Sequence, residues 1–85
     1  MGTPRSARHL AFGEALREVR TAQGLSQEQL AVDAGLDRTY VSGIERGERN
    51  PSLTNLYRLA DALDVRLSDL ARRSERLERK SQASR

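Results

Sequence analysis

The stretch LSQEQLAVDAGLDRTYVSGIERGERN, residues 25–50, predicts two short helices joined by a tight turn. Ser26 and Gln29 have the spacing of a capping box, in which each side chain accepts a hydrogen bond from the other residue's backbone N–H. Gly35 suits the left-handed backbone conformation that ends many helices. The first helix is therefore expected at residues 27–34.

The second helix of the stretch follows almost at once. Asp37 is a suitable N-cap for a helix over residues 38–46, and Gly47 can end that helix in a left-handed conformation. Because only residues 35–37 connect the two helices, their axes must cross steeply, at about 90–120°. This geometry is that of a helix-turn-helix and not of an antiparallel hairpin.

The second helix is apolar on one side and polar on the other. At about 100° per residue, Val41 and Ile44 form its buried stripe. On the opposite side, an arginine can bridge O6 and N7 of guanine, hydroxyls can bind base edges or phosphates, and a glycine lets the backbone come close to DNA. The alternative is an ordinary solvated helix face, which the steep turn disfavours. The candidate base-reading residues of this outer face are Arg38, Thr39, Ser42, Gly43 and Arg46.

These features resemble the Cro and phage-repressor type of helix-turn-helix, the XRE family, over roughly residues 10–72. Residues 37–46 are similar to the recognition helix of controller proteins from restriction-modification systems, which are small single-domain regulators. The resemblance implies a sequence-specific transcriptional regulator that binds double-stranded operator DNA, as a homodimer on an inverted repeat. The matching residues are Leu25 to Gln27, Leu30, Ala31, Gly35, Leu36, Val41, Ile44 to Gly47, Asn50 to Ser52, Leu56 and Ala60 to Leu63.

The family pattern also implies roles for residues outside the outer face. A salt bridge between Arg20 and Glu45 would fix the tilt of the second helix, although the two could instead be unrelated surface charges. Tyr40 borders the expected core, where an aromatic ring often only fills space. In controller proteins the equivalent tyrosine can reach DNA between neighbouring subunits.

Contacts to the DNA backbone are expected at both ends of the motif. Gln27 lies at a helix N-terminus, where amides bind phosphate well, and Arg49 clusters with the arginines of the outer face. The family also touches the DNA backbone around its fourth helix, where Ser52 can equally serve as a helix cap. The candidate backbone contacts are Gln27, Tyr40, Arg49, Asn50, Ser52 and Thr54.

The apolar periodicity predicts an all-α fold of five helices, and the resemblance implies that they form a compact, lambda-repressor-like domain over residues 9–73. Residues 1–8 are expected to form a flexible arm, and residues 74–85 a polar, basic tail that is a helical extension or disordered. Ser68 is the expected N-cap of the fifth helix. The helices are expected at about 9–23, 27–34, 38–46, 53–63 and 69–73 or longer, with Leu53, Leu56, Ala60 and Leu63 forming the apolar stripe of the fourth.

The charge of the chain is unevenly distributed. The 85 residues carry a formal net charge of +3, but residues 1–65 hold eight basic and nine acidic side chains. Residues 66–85 hold seven basic and three acidic ones, and so carry all of the excess. The motif is therefore expected to bind DNA through the placement of a few charges and dipoles, and not through bulk basicity.

Self-association is expected where the fourth helix passes into the fifth. Val65, Leu67 and Leu70 exceed what one helix face needs for the core, and the resembled family dimerises there. A two-fold dimer would hold two recognition helices about 34 Å apart and so select an inverted repeat.

Enzymatic and metal-binding functions find no support in the sequence. It has no cysteine, His9 is its single histidine, and it lacks a glycine-rich phosphate loop. We therefore expect no catalysis, no metal and no cofactor. No apolar run approaches about 18 residues and no signal peptide is visible, so we expect a cytoplasmic protein at the bacterial nucleoid, with no membrane partner.

Two questions about partners stay open at this point. The chain could instead be an antitoxin-like or adaptor protein whose helix-turn-helix mainly binds another protein, which an exposed apolar patch away from the dimer face would favour. Glu28 and Asp33 of the first motif helix could contact RNA polymerase, or could simply be solvated charges.

Overall fold

The computed structural model describes residues 5–83, which form five α-helices and no strand. The all-α, five-helix architecture predicted from the sequence is confirmed. Within the described residues, no helix is both long and apolar enough to cross a membrane. The helices are α1 (Ala7–Ala22), α2 (Gln27–Ala34), α3 (Arg38–Glu45), α4 (Leu53–Ala62) and α5 (Leu67–Ala83).

Local hydrogen bonds define where α2 begins and ends. The Ser26 hydroxyl accepts from the Gln29 backbone N–H at 3.1 Å, and the Gln29 amide oxygen accepts from the Ser26 N–H at 2.9 Å. This is the complete capping box. At the other end Gly35 adopts φ = 71°, and its N–H lies close to the last carbonyls of the helix. The turn into α3 is therefore specified by residues close to it in sequence.

The two later N-caps differ from each other. The Ser52 hydroxyl accepts from the Asn55 N–H at 3.2 Å, so it caps α4 as a serine normally does. Asp37 occupies the N-cap position of α3 with an extended backbone, but its carboxylate makes no capping hydrogen bond. Its negative charge still lies at the positive end of the α3 dipole.

Helix α5 starts earlier than predicted. Ser68 was expected to be its N-cap, but the helix begins at Leu67 and Ser68 lies inside it. The reason is the carboxylate of Asp69, which accepts the Arg66 backbone N–H at 3.0 Å and so closes the turn that precedes the helix. The hydrogen bond to the Asp69 carboxylate takes the place of the expected serine cap.

Residues 74–83, which the sequence left as helical extension or disordered tail, are helical and belong to α5. This helix lies along α1, and ion pairs join the two helices. Arg73 Nη1 lies 3.0 Å from Glu18 Oε1, and Arg8 Nε lies 3.6 Å from Glu78 Oε2.

The predicted N-terminal arm is shorter than residues 1–8. The first helical residues, Ala7 and Arg8, fall within it, because Ser6 caps α1 by accepting the His9 N–H at 3.3 Å. The rest of the arm prediction, at residues 1–4, and the tail at residues 84–85 lie outside the described residues.

The core lies between α1, which packs on α3 and α5, and α2, which packs on α3 and α4. At Gly13 the backbones of α1 and α3 approach so closely that a Cβ atom there would collide with the carbonyls of Ile44 and Glu45. This contact sets the distance between α1 and the second motif helix. The largest fully buried side chains are Leu16, Leu30, Val41, Ile44, Leu59, Leu63 and Leu70.

Candidate nucleic-acid interface

A buried ion pair holds α3 in place. The structure contains the salt bridge that the resemblance implied: Arg20 Nε and Nη2 donate to the two carboxylate oxygens of Glu45 at 2.6 and 2.9 Å. The Glu45 side chain is only 3% exposed. A third N–H of Arg20 donates to the Leu25 carbonyl at 2.8 Å, so Arg20 ties α1 both to α3 and to the segment that leads into α2. The hydrogen bonds to Glu45 hold the pKa of Arg20 above its ordinary value, against the opposing effect of burial.

Gln27, predicted as a contact to the DNA backbone, completes this arrangement with its side chain turned inward. Its amide Nε2 donates to Glu45 Oε1 at 2.9 Å, and the side chain is half-buried. At the start of α2, the groups that can bind a phosphate are therefore the backbone N–H groups of the first turn, and not the Gln27 side chain. The side chain itself positions Glu45, and through it α3.

The outer face of α3 presents fewer residues than the helical wheel predicted. Arg38, Thr39 and Arg46 are exposed, and Ser42 is half-buried. Gly43 is buried, which corrects its placement on the open face. A Cβ atom on Gly43 would lie 2.7 Å from Cγ of Arg49, so this glycine admits the aliphatic part of Arg49 and is covered by it.

Arg49 and Tyr40 form a second layer beside the outer face. The Arg49 guanidinium carbon lies 5.8 Å from the centre of the Tyr40 ring, at cation–π distance. The ring packs against the core, and its hydroxyl accepts from the Asn55 side chain at 3.0 Å. Tyr40 thus links α3 to α4, while Arg49 stays exposed at the surface.

The start of α4 brings the other predicted backbone contacts to one edge. Asn50, Ser52 and Thr54 are all exposed, although the Ser52 hydroxyl is used as a cap. The His9 Nε2 atom lies 3.3 Å from the amide oxygen of Asn50. The NH2 group of an asparagine is a donor of the kind that binds phosphate oxygens. Sequence reasoning gave His9 no role.

Glu48 is the other residue that sequence reasoning missed. Arg46 Nε and Nη2 lie 3.2 and 3.1 Å from Glu48 Oε1, and Arg5 Nη1 donates to Oε2 at 3.0 Å. The hydrogen bond from Arg46, with the charges of Arg5 and Arg49, holds the pKa of Glu48 below its ordinary value despite partial burial. No helical spacing connects these residues, because the chain folds back at Gly47, so periodicity could not have found the cluster.

The residues predicted for dimerisation are not equivalent. Leu70 is 0% exposed and belongs to the core of its own domain, so it cannot form an interface, and this prediction is wrong. Val65 and Leu67 are half-buried. Leu67 lines a groove of about 480 Å³ between α1, α4 and α5, together with Phe12, Pro51, Leu56 and Ala71.

The exposed apolar surface of α4 was also misassigned. Leu53 was expected in the buried stripe, but it is 64% exposed, and Tyr57, one turn later, is 52% exposed. The reason is that α4 buries the later half of its stripe, at Leu59, Ala60 and Leu63, whereas its first turn projects beyond the core. An unpartnered apolar surface therefore lies next to the groove.

Comparison with known proteins agrees with this arrangement. The family model described as helix-turn-helix matches residues 16–70. The control protein C.BamHI of Bacillus amyloliquefaciens is 47% identical over 62 residues, which cover 72% of this chain and 76% of that protein.

Two solved structures extend the comparison. The restriction-modification controller protein C.AhdI from Aeromonas hydrophila shares 57% identity and a TM-score of 0.76, over 76% of this chain and 98% of that one. The controller protein C.Esp1396I, solved as a tetramer with its natural 35-base-pair operator, shares 30% identity and a TM-score of 0.79, over 86% of this chain and 96% of that one. The resemblance inferred from the motif is confirmed, and the chain belongs to the helix-turn-helix family of DNA-binding transcriptional regulators, alongside the controller proteins of restriction-modification systems.

Proposed function

We propose that this protein is the controller of a restriction-modification system, which binds an inverted-repeat operator as a homodimer. The observation that supports this most strongly is the network of Arg20, Gln27 and Glu45, which fixes α3 at one tilt with its polar side chains outward. A rigid recognition helix can read bases reproducibly, because bidentate contacts tolerate little misalignment. The similarity to control proteins supplies the physiological role.

Within this function we assign base reading to the side chains that α3 presents outward. Arg38 and Thr39 lie in the first turn, and Ser42 and Arg46 lie toward the end of the helix. Gly43 carries no side chain to the DNA, and its role is to admit Arg49.

Phosphate binding is assigned to groups around this helix. Arg49, Asn50 and Thr54 are exposed at the α3–α4 edge, and the first turn of α2 offers backbone N–H groups. The Tyr40 ring lies against the Arg49 guanidinium, and its hydroxyl accepts a hydrogen bond from Asn55. Ser52 serves mainly as the cap of α4.

The second copy is proposed to bind over the groove and the adjoining surface of α4. Leu56 and Leu67 line the groove, and Leu53 and Tyr57 extend its apolar character along α4. Burial of these side chains would provide the hydrophobic core that dimer interfaces need. With its two-fold axis there, the dimer would present its recognition helices to half-sites about one helical turn apart.

Selection of binding sites from a random double-stranded DNA library tests the proposal directly. We expect an enriched inverted repeat whose half-sites are centred about 10 base pairs apart. Enrichment of no sequence, or of a single unrepeated half-site by a monomeric protein, would contradict it. The regulator would act at the bacterial nucleoid in the cytoplasm, without catalysis, metal or cofactor.

A role as an adaptor is less well supported. It would need an extended apolar patch away from α4 and α5. Among the described residues outside these two helices, the exposed large apolar side chains are Leu10 and Val32, which lie on different helices. Val32 lies on α2 with the exposed acids Glu28 and Asp33, and this surface is our candidate contact with RNA polymerase if the regulator activates transcription.

A further inference from the structure

Glu48 occupies a defined position at the end of the recognition helix. Its backbone N–H donates to the Gly43 carbonyl at 2.8 Å, which anchors the turn after α3. Its side chain is half-buried between Arg46 and Arg5, with one carboxylate oxygen facing each arginine. An acid at this place is unexpected in a surface that has to approach polyanionic DNA.

The contacts of Arg46 show what this acid can do. A guanidinium has five N–H donors. Nε and Nη2 face Glu48, and Nη1 donates to the Ser42 hydroxyl. Two N–H groups remain, which is the number that a bidentate contact to guanine O6 and N7 requires. Glu48 and Ser42 therefore hold the guanidinium plane from two sides and leave a pair of donors for a base.

The charge of Glu48 has a different effect on phosphates than on base edges. Binding to random DNA depends on the number of phosphates that free cations neutralise. Glu48 cancels one of the two positive charges that Arg46 and Arg5 would otherwise offer to phosphates. A guanine edge is a neutral acceptor, so the same pairing penalises a base contact much less.

We propose that Glu48 is a specificity-determining residue that positions Arg46 for a base and withholds Arg46 and Arg5 from phosphates on random DNA. The inference rests on the proposed function, since it needs an operator to discriminate. Its consequence is that Glu48 weakens binding to all DNA, but weakens binding to random DNA more.

The test compares wild type with Glu48→Gln on the selected operator and on random duplex of equal length, over a range of salt concentrations. We expect the affinity for random DNA to rise about three- to tenfold at 0.1 M salt and its salt slope to steepen by about one, because one more cation meets a phosphate. The affinity for the operator should rise less, so the ratio of the two affinities should fall. Asp61→Asn, which removes an exposed acid two turns into α4, should leave the ratio unchanged.

A double-mutant cycle with Arg46→Ala separates positioning from a general charge effect. If Glu48 acts through Arg46 as well as Arg5, the change in the ratio caused by Glu48→Gln should be clearly smaller in the Arg46→Ala background, where only Arg5 remains to be released. A full effect in that background overturns the inference, and so does an equal rise on operator and random DNA. If wild type itself prefers no sequence, the proposed function fails, and the inference fails with it. If wild type prefers the operator but the variants behave as just described, only the inference fails.

Discussion

The polar residues of α3 differ in how free their side chains are. Arg38 and Thr39 are exposed in the first turn, whereas Arg46 is held by Ser42 and Glu48 at the other end. Arg38 and Thr39 therefore become ordered only when they bind DNA, whereas Arg46 is ordered before it binds. Side-chain ordering costs free energy on binding, so the held residue should contribute more per contact.

Arg38→Ala should remove one base contact. We expect a loss of about 1–3 kcal/mol on the operator and a relaxed base preference at one position, because a bidentate arginine contact discriminates by about that amount. Binding to the operator and to its single-base variants measures both effects. Arg49→Ala is the matched control, since a phosphate contact should weaken binding to all sequences alike. Equal losses on operator and random DNA for Arg38→Ala would refute its role as a base reader.

At the level of helices, three elements depend on one buried carboxylate. Glu45 of α3 accepts from Arg20 of α1 and from Gln27 at the start of α2. The close backbone contact at Gly13 brings α1 and α3 together next to this network. The tilt of the recognition helix is therefore a property of the α1–α2–α3 contact and not of α3 alone.

Arg20→Ala should destabilise the whole domain. It leaves the buried Glu45 carboxylate without its cation, and loss of one partner of a buried pair costs about 3–5 kcal/mol. Urea unfolding followed by circular dichroism measures the change. Arg17→Ala, on the exposed side of the same helix, should change the free energy of unfolding little. A loss no larger than that of the control would show that the pair is dispensable.

At the level of the whole molecule, the domain leaves part of its apolar surface exposed. The groove beside Leu67 and the exposed Leu53 and Tyr57 provide an apolar region of the kind that marks protein contacts. Leu53, Tyr57 and Leu67 lie on α4 and α5, although Arg49 and Asn50 also line the groove. A dimer formed over α4 and α5 would leave the outer face of α3 free in each copy.

Leu67→Asp and Tyr57→Asp should each shift the protein from dimer to monomer, because a charge would then be buried at the interface. Analytical ultracentrifugation at tens of micromolar protein detects the change, and circular dichroism checks that the helices remain. Tyr57 is the cleaner site, since it is 52% exposed in the single domain. Val32→Asp on α2 is the control and should remain dimeric. A monomeric wild type at this concentration would exclude the proposed interface.

The structure also shows what the basic C-terminal segment does in the whole molecule. The sequence placed all of the excess positive charge in residues 66–85. In the structure residues 67–83 of this segment form α5, and Arg73 is paired with Glu18 of α1. Part of the excess charge therefore serves helix packing, which a count of charges could not reveal.

Features that depend on residues a few positions apart were readable from the sequence. The capping box of Ser26 and Gln29 and the left-handed turn at Gly35 are hydrogen-bonded or conformational preferences of single segments, and both occur where expected. They suffice to specify the helix-turn-helix. The family pattern then supplied the Arg20–Glu45 pair, which no local rule predicts.

Other features depend on which distant segments meet, and only the tertiary structure decided them. Arg49 covers Gly43, Arg5 reaches Glu48, and Gln27 turns inward to Glu45. Leu70 is buried and Leu53 is exposed, although helical periodicity treated them as an interface residue and a core residue. The physical reason is that periodicity identifies one apolar face of a helix, whereas burial depends on how far along the helix its neighbours extend. The sequence by itself thus determined the motif and its turn, and the packing of α1, α4 and α5 around it determined which side chains are free to meet DNA.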